Sequence, residues 1–321
     1  MEFAVNIPTS VGAGEYTSLL FCDEISWEAQ RDFGREMERL GVDGLAVPDH
    51  LTSGDNATME CLATITGLAG VTNDVYLYPK TINDQFRHGP FLAKTAATID
   101  NVSDGRLKLG MGAGWKDDEA LAYGFDWPDA PTRLRELEET IEVTKRLWTK
   151  ESITYEGEYV QVEDAVCKPH PKQDPHPPIM IGGGGEEFTL RIAAQHADVW
   201  NYWGPPHVMA RKLEVLADHC DTYDTDFDAI DTSWFARCII RETEEEVEEI
   251  LEEVPRFRQP DDPSEIEAGA YNNLIGTPKQ IIDQVAAYGS LDLDEMVIEF
   301  VDFPRTTGAE LFTQRVLPEI R

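Results

Sequence analysis

The chain has 321 residues, of which 41% are hydrophobic, so it can bury a sizeable core in one large domain or two ordinary ones. Its 61 acidic residues outnumber its 27 basic residues and give a net charge of −34. A field of this sign repels nucleic acid and anionic membranes, and no apolar run is long enough to span a bilayer. We therefore expect neither nucleic acid nor a membrane as a partner.

The acidic residues are spread along the whole chain rather than collected in a tail. In Thr243–Val254 they occupy a helix face beside an apolar stripe, and arginine outnumbers lysine among the basic residues. This composition is typical of a folded protein from a salt-accumulating halophile, although an acidic protein from an ordinary cell is the alternative. Five scattered cysteines without a Cys-x-x-Cys pair, and an N-terminus without a basic start, indicate a cytoplasmic protein with reduced thiols and no metal site.

Along the chain, short apolar runs alternate with amphipathic segments. Continuous apolar runs are typical of strands buried on both faces, as in a parallel sheet. The predicted strands are Phe3–Ile7, Gly44–Pro48, Val75–Pro79, Leu107–Gly112, Ile179–Gly182, Asp198–Trp203, Ser233–Ile240 and Met296–Phe300. The predicted helices include Ser26–Leu40, Met59–Ala69, Pro90–Asn101, Thr132–Thr149, Phe188–Ala197, His207–Tyr223, Pro278–Tyr288 and a last segment, Gly308–Arg321. Eight such units predict an α/β fold, a (β/α)8 TIM barrel.

We expect a single barrel domain over residues 1–321, with insertions near 150–177 and 255–276. The first insertion begins with two short strands joined at Glu156-Gly157. The competing fold is a doubly wound open sheet, because Leu109–Asp118 has the spaced glycines of a dinucleotide loop. It lacks the usual acidic ribose ligand downstream, so eight regular units favour the closed barrel.

Four consecutive glycines, Gly182–Gly185, follow the fifth predicted strand and precede the helical segment Phe188–Ala197. Glycine loses more backbone entropy on folding than any other residue, so such a run needs a reason. A phosphate bound at the helix N-terminus is one reason, and a flexible loop is the other. The glycines alone leave both interpretations open.

Several stretches together resemble the luciferase-like monooxygenase superfamily, and most of all its coenzyme F420-dependent oxidoreductases. They include "LGVDGLAVPDHL", "SDGRLKLGMGAGW", "HPPIMIGGGG" and "IGTPKQIIDQVAAYG". The resemblance runs from about Val42 to Asn201 and resumes near Gly276. It implies a (β/α)8 barrel that binds a flavin or 5-deazaflavin at the C-terminal ends of its strands.

The resemblance also implies roles for individual residues. Gly183, Gly184 and Gly185 would bind the cofactor phosphate through backbone N–H groups. Glu186 and Glu187 stand where many relatives have a basic residue, so their carboxylates should point away or be screened by salt.

Asp49 and His50 resemble the pair that lies beside the reactive ring in F420 enzymes. His50 would be the catalytic residue, since histidine exchanges protons near neutral pH. A helix-capping Asp49 and a packed His50 are the structural alternative.

Lys80 and Thr81 lie where the family often has a non-prolyl cis peptide that backs the cofactor ring, although a plain strand end is the alternative. Ala113, Gly114 and Trp115 follow the fourth strand. Trp115 replaces a glutamate of the family's sugar-phosphate dehydrogenases, which argues against that activity and for an aromatic wall over the ring. A core tryptophan under the loop is the alternative.

Together these features predict hydride transfer between C5 of coenzyme F420 and an unidentified small organic substrate. Two alternatives are an FMNH2-dependent monooxygenase, with FMN as the cofactor, and a barrel that binds F420 or flavin without catalysis. We also expect a homodimer or a higher homo-oligomer. The loops after strands one and seven, Pro8–Glu24 and Pro255–Gly276, would set the substrate.

Overall fold

In the computed structural model, strands and helices alternate along residues 1–11, 21–260, 263–266 and 273–321, which are the residues that the structure describes. Their strands are β1 Glu2–Asn6, β2 Gly44–Val47, β3 Tyr76–Pro79, β4 Ile82–Asn83, β5 Leu109–Gly112, β6 Ile153–Glu156, β7 Gln161–Ala165, β8 Ile179–Gly182, β9 Val199–Trp203, β10 Asp231–Ile240, β11 Leu274–Gly276 and β12 Glu295–Phe300. Their α-helices are α1 Trp27–Arg39, α2 Cys61–Ala69, α3 Gly89–Val102, α4 Asp117–Ala122, α5 Ala130–Thr149, α6 Thr189–His196, α7 Pro206–Tyr223, α8 Glu244–Glu253, α9 Pro278–Ala286, α10 Thr307–Arg315 and α11 Leu317–Ile320. None of these helices is long and apolar enough to cross a bilayer.

The barrel strands pair in parallel in the order β3-β2-β1-β12-β10-β9-β8-β5. The ring closes where β3 meets the start of β5. The amide of Leu77 donates to the Arg106 carbonyl at 2.9 Å, and the amide of Lys108 donates to the Leu77 carbonyl at 3.1 Å. Short β4 then continues the third strand along β5. The predicted (β/α)8 barrel is confirmed.

Two additions lie outside the eight barrel strands. Strands β6 and β7 form an antiparallel ribbon in the first predicted insertion, and β11 in the second pairs in parallel with β10. Helix α4 is not among the predicted helices. The last predicted helix divides into α10 and α11, because Pro318 has no amide hydrogen for a continuous helix but fits the first turn of a new one.

Two apolar clusters stabilise the barrel. The larger one lies between the strands and the helices, where burial of apolar surface contributes roughly 25 cal/mol per Å². The smaller one lies inside the barrel and has one buried residue from each of seven strands: Ala4, Ala46, Tyr78, Met180, Val199, Phe235 and Val297. Because side chains alternate along a strand, the neighbours two positions along β12, Glu295 and Glu299, lie on this same inner face.

Candidate active site

His50 lies in the loop after β2, at the C-terminal end of the barrel. Its Nδ1 atom is 2.8 Å from Oε1 of Glu119, and its side chain is 32% exposed, whereas that of Glu119 is 1% exposed. Glu119 Oε2 accepts the amide hydrogens of Leu51 at 2.8 Å and Thr52 at 3.3 Å. Burial raises the pKa of Glu119, but these hydrogen bonds outweigh it and hold the pKa below its usual value. The carboxylate is therefore an acceptor, so Nδ1 of His50 carries a hydrogen and Nε2 is left to contact a ligand.

Asp49 is buried and has a different set of partners. Its carboxylate accepts two hydrogen bonds from the Arg87 guanidinium, at 2.6 and 2.8 Å, and one from the backbone N–H of Asn83 at 2.8 Å. Arg87 also pairs with Glu60, the N-cap residue of α2. Asp49 thus ties the loop after β2 to the loop after β4 and fixes the backbone that presents His50.

The end of β3 bends into the barrel, and glycines make room for it. The peptide bond between Lys80 and Thr81 is cis. A Cβ on Gly110 would overlap the carbonyl oxygen of Pro79. A Cβ on Gly112 would lie 2.8 Å from Oγ1 of Thr81, and one on Gly182 would lie 2.7 Å from its Cγ2. The spaced glycines of β5 therefore accommodate the neighbouring strand, which explains why they are not part of a dinucleotide loop.

The loop after β5 carries Trp115, and a buried arginine holds its backbone. Arg133 donates to the carbonyl of Ala113 at 3.0 Å and to that of Gly114 at 3.4 Å. Gly114 has φ +70°, and a Cβ there would overlap the side chain of Asn83. Trp115 is 59% exposed and meets the His50 ring edge-on, with centroids 6.0 Å apart. The tryptophan is therefore an exposed residue beside His50 and not a core residue.

The glycine run after β8 contacts protein on one side and is open on the other. Gly183 has φ +122°, and a Cβ on Gly184 would overlap the ring of Tyr202. Gly185 is exposed, and no acceptor among the described residues is bonded to the amides of Gly184 or Gly185. Glu186 turns away toward α7, where its carboxylate lies 2.9 Å from Nζ of Lys212. Two amide donors are thus available for an anion.

Inside the barrel, the layer nearest the C-terminal ends of the strands is charged. Glu299 accepts hydrogen bonds from Nε of Arg237 at 3.0 Å and from Nδ2 of Asn6 at 2.7 Å. Nζ of Lys80 lies 3.5 Å from the centroid of the Phe235 ring. Burial lowers the pKa of Lys80 to about 8, against the opposing effect of Glu299.

The sequence matches the family model described as luciferase-like monooxygenase over residues 1–265. The chain belongs to the luciferase-like monooxygenase family. It is 30% identical to the FMNH2-dependent dimethylsulfone monooxygenase of Pseudomonas putida over 71% of this chain and 70% of that protein. It is 26% identical to the F420-dependent glucose-6-phosphate dehydrogenase of Microbacterium testaceum (strain StLB037) over 90% of this chain and 92% of that protein.

A solved structure shares the fold of this luciferase-like protein. An F420-dependent secondary alcohol dehydrogenase, in complex with an F420-acetone adduct, superposes with a TM-score of 0.82 at 15% identity, over 100% of this chain and 99% of that chain. Named relatives thus include both F420-dependent and FMNH2-dependent oxidoreductases. The resemblance inferred from the sequence motifs is confirmed.

The structure brings His50, Lys80, Thr81 and Trp115 to the same end of this luciferase-like barrel as the glycine loop. Three residues of the site were not predicted from the sequence: Glu119, Arg87 and Glu299. Glu119 lies in the short helix α4, which was not predicted. Glu299 could have been predicted, because Glu295, Val297 and Glu299 are spaced two residues apart and therefore lie on one face of a strand. Of the two predicted substrate loops, residues 12–20, 261–262 and 267–272 lie outside the described residues.

Proposed function

We propose that this luciferase-like protein is an F420-dependent oxidoreductase that transfers hydride between C5 of the deazaflavin and a small organic substrate. The observation that carries the proposal is the His50–Glu119 pair at the C-terminal end of the barrel. Nδ1 is hydrogen-bonded to Glu119, so the partly exposed ring presents Nε2 to the reacting molecule. This arrangement suits a group that gives or takes one proton beside a hydride transfer.

The residues at the strand ends fit the parts of such a cofactor. The unbonded amides of Gly184 and Gly185, next to the N-terminus of α6, are suited to a phosphate. Glu186 does not oppose this, since its carboxylate pairs with Lys212. The backbone of Lys80–Thr81 would lie behind the ring and Trp115 beside it, while the Lys80 side chain extends toward Phe235. When bound, the cofactor supplies a carbon that accepts or donates hydride.

The protein's own residues then have separate tasks. His50 holds or releases a proton at Nε2, which accepts when the ring is neutral and donates when it is protonated. Glu119 keeps the ring in one tautomer and orientation. Asp49 and Arg87 fix the loop, and the exposed indole of Trp115 covers the site and limits access of water.

A second candidate function is an FMNH2-dependent monooxygenase. The 30% identity to the dimethylsulfone monooxygenase over 71% of this chain favours it. In that case the same glycine loop would hold the FMN phosphate. The two functions therefore differ in which cofactor ring the barrel binds more tightly, the deazaflavin of F420 or the flavin of FMN.

Calorimetric titration of the purified protein with F420 and with FMN, in concentrated salt, tests the choice. We expect F420 to bind more tightly, and tighter binding of FMN would overturn the proposal. Bound F420 should then bleach when a substrate reduces it, or gain absorbance when reduced cofactor is oxidised by substrate. F420 that binds tightly but is unchanged by a broad panel of alcohols, aldehydes and ketones would support a barrel that only binds the cofactor.

A further inference from the structure

Lys80 places a positive charge inside the barrel, and none of the residues that the structure describes forms an ion pair with it. Its ammonium lies over the Phe235 ring, 3.5 Å from the centroid, and no carboxylate among the described residues is within hydrogen-bonding distance of it. The cation–π contact offsets part of the cost of removing the ammonium from water. It does not neutralise the charge.

The charged groups that face Lys80 already have other partners. Glu299, on β12, binds Arg237 of β10 and Asn6 of β1. Glu295, one layer deeper, accepts from Ser233 at 2.6 Å and lies 3.3 Å from Nζ of Lys108. Glu299 is thus already bonded to Arg237 and Asn6, and none of the described carboxylates forms an ion pair with Lys80.

A hydrogen-bond acceptor in the same layer also lacks a partner. Oδ1 of Asn6 is buried and accepts no hydrogen bond from the described part of the chain, although Nδ2 of the same side chain donates to Glu299. Asn6 is only 2% exposed. Buried polar atoms without partners are rare in folded proteins and often mark a place that a ligand completes.

A half-buried cation without a counter-ion lowers the stability of a protein, because desolvation favours the neutral form. The chain has 61 acidic residues, yet no described carboxylate pairs with Lys80. The charge is instead left unmatched at the end of the barrel that carries His50. A ligand with one negative charge would match it.

We propose that Lys80 binds an anionic group of the substrate, a carboxylate or an oxyanion of similar size, inside the mouth of the barrel. The proposal rests on the proposed function, because it takes this mouth as the place where the substrate reacts. Asn6 Oδ1 accepts a hydrogen bond from a hydroxyl or amino group of the same molecule. The substrate class is thus a small organic acid that also carries a hydrogen-bond donor.

The test measures anion binding without any cofactor, so its result does not depend on the choice between F420 and FMN. Thermal midpoints are recorded with salicylate, a carboxylate with a hydroxyl donor, and with salicylamide, its neutral counterpart, at a constant high concentration of potassium chloride. We expect salicylate to raise the midpoint at about pH 7 and salicylamide to have little effect, because a ligand that binds only the folded state stabilises it. At about pH 9.5 the effect of salicylate should be lost, since the ammonium then loses its proton.

Two lysine variants make the test specific. Lys80→Met removes the charge at the mouth, and Lys80→Gln is a polar replacement that guards against a folding defect. Lys145→Met is the matched control. Burial lowers the pKa of Lys145 too, but its Nζ donates to the His196 carbonyl at 2.7 Å, between α5 and α6 outside the barrel. We expect the Kd for salicylate to rise at least about tenfold in both Lys80 variants, as for loss of a charge-assisted hydrogen bond, and to be unchanged in Lys145→Met.

The same titration is repeated with F420 or FMN bound. Salicylate binding that persists, and that still needs Lys80, supports a substrate site. Loss of salicylate binding when the cofactor is present would assign the Lys80 anion site to the cofactor and overturn the proposal. Equal binding of salicylate to the wild type and both Lys80 variants would also overturn it. Failure of both cofactors to bind, with Lys80-dependent salicylate binding retained, would instead count against the proposed function alone.

Discussion

Nδ1 of His50 lies 2.8 Å from Oε1 of the buried Glu119, sixty-nine residues further along the chain. The other oxygen of the same carboxylate accepts the amides of Leu51 and Thr52. One carboxylate therefore sets both the orientation of the imidazole and the path of the loop that carries it. We therefore expect Glu119 to act as a positioning residue whose effects are separable from those of His50.

We expect Glu119→Gln to lower both stability and turnover. The amide has only one acceptor oxygen, so either His50 or the two loop amides lose their acceptor, at a cost of about 2 kcal/mol. The pKa of Glu119 lies below its usual value in the folded protein, so its contribution to stability is present above the unfolded pKa and is lost as the pH falls through the folded pKa. The difference in thermal midpoint between wild type and variant should therefore be large near neutral pH and shrink in acid. A difference independent of pH would show that the charge of Glu119 is unimportant.

His50→Asn should slow turnover more than it weakens cofactor binding. General acid–base groups typically contribute about 10²–10⁴-fold to rate, and asparagine keeps some hydrogen bonding at similar size. Single-turnover oxidation or reduction of bound F420 gives the rate, and calorimetry gives the affinity. Unchanged rate with a lowered thermal midpoint would make His50 a packing residue.

The glycines around Thr81 should respond to substitution according to which Thr81 atom they face. Gly182→Ala places a Cβ 2.7 Å from Cγ2 and Gly112→Ala places one 2.8 Å from Oγ1, so each should cost about 1–3 kcal/mol. Thr81→Ser removes Cγ2 and keeps the hydroxyl, and it should therefore rescue Gly182→Ala more than Gly112→Ala. Gly289→Ala is the control, because no atom lies within 4 Å of its added Cβ. Free energies of unfolding from chemical denaturation measure the four changes, and equal rescue of both glycine variants would contradict the assigned contacts.

Lys80→Met should make the protein more stable while removing anion binding. The pKa of Lys80 is about 8 in the folded protein, against an ordinary value of 10.5. The charged lysine therefore lowers the free energy of unfolding by up to about 3 kcal/mol. The contact with the Phe235 ring offsets about 0.5–2 kcal/mol of this loss. The cost is fully present below about pH 8 and disappears as the pH rises toward the unfolded pKa, because the folded side chain is then already neutral. Thermal melts across this range should show the advantage of the variant fading with rising pH. A variant less stable than wild type at every pH would show that Lys80 supports the fold.

Salt should stabilise the whole chain. With a net charge of −34, mutual repulsion of carboxylates opposes the compact state when screening is weak. We expect the thermal midpoint to rise steeply as potassium chloride is added from dilute to molar concentrations. The chloride salt of a bulky organic cation at matched ionic strength separates screening from specific potassium binding, and a midpoint that does not change with salt would contradict the halophile interpretation.

The sequence by itself determined the barrel, the family and the short set of strand ends where we propose the site. It could do so because buried parallel strands leave continuous apolar runs, and because the active end of such a barrel follows from strand direction alone. Residues that act within a few positions of a strand end, such as His50, Trp115 and the glycine loop, could be named in this way.

Only the tertiary structure decided which side chains meet. Asp49 contacts Arg87, His50 contacts Glu119, and the ammonium of Lys80 lies over the ring of Phe235. These partners lie far apart in the chain, and no periodicity records a contact between two different strand–helix units. Closure of the ring brings them together, and the same closure removes them from water. The ammonium of Lys80 and the unused Oδ1 of Asn6 then become the features that point to a ligand.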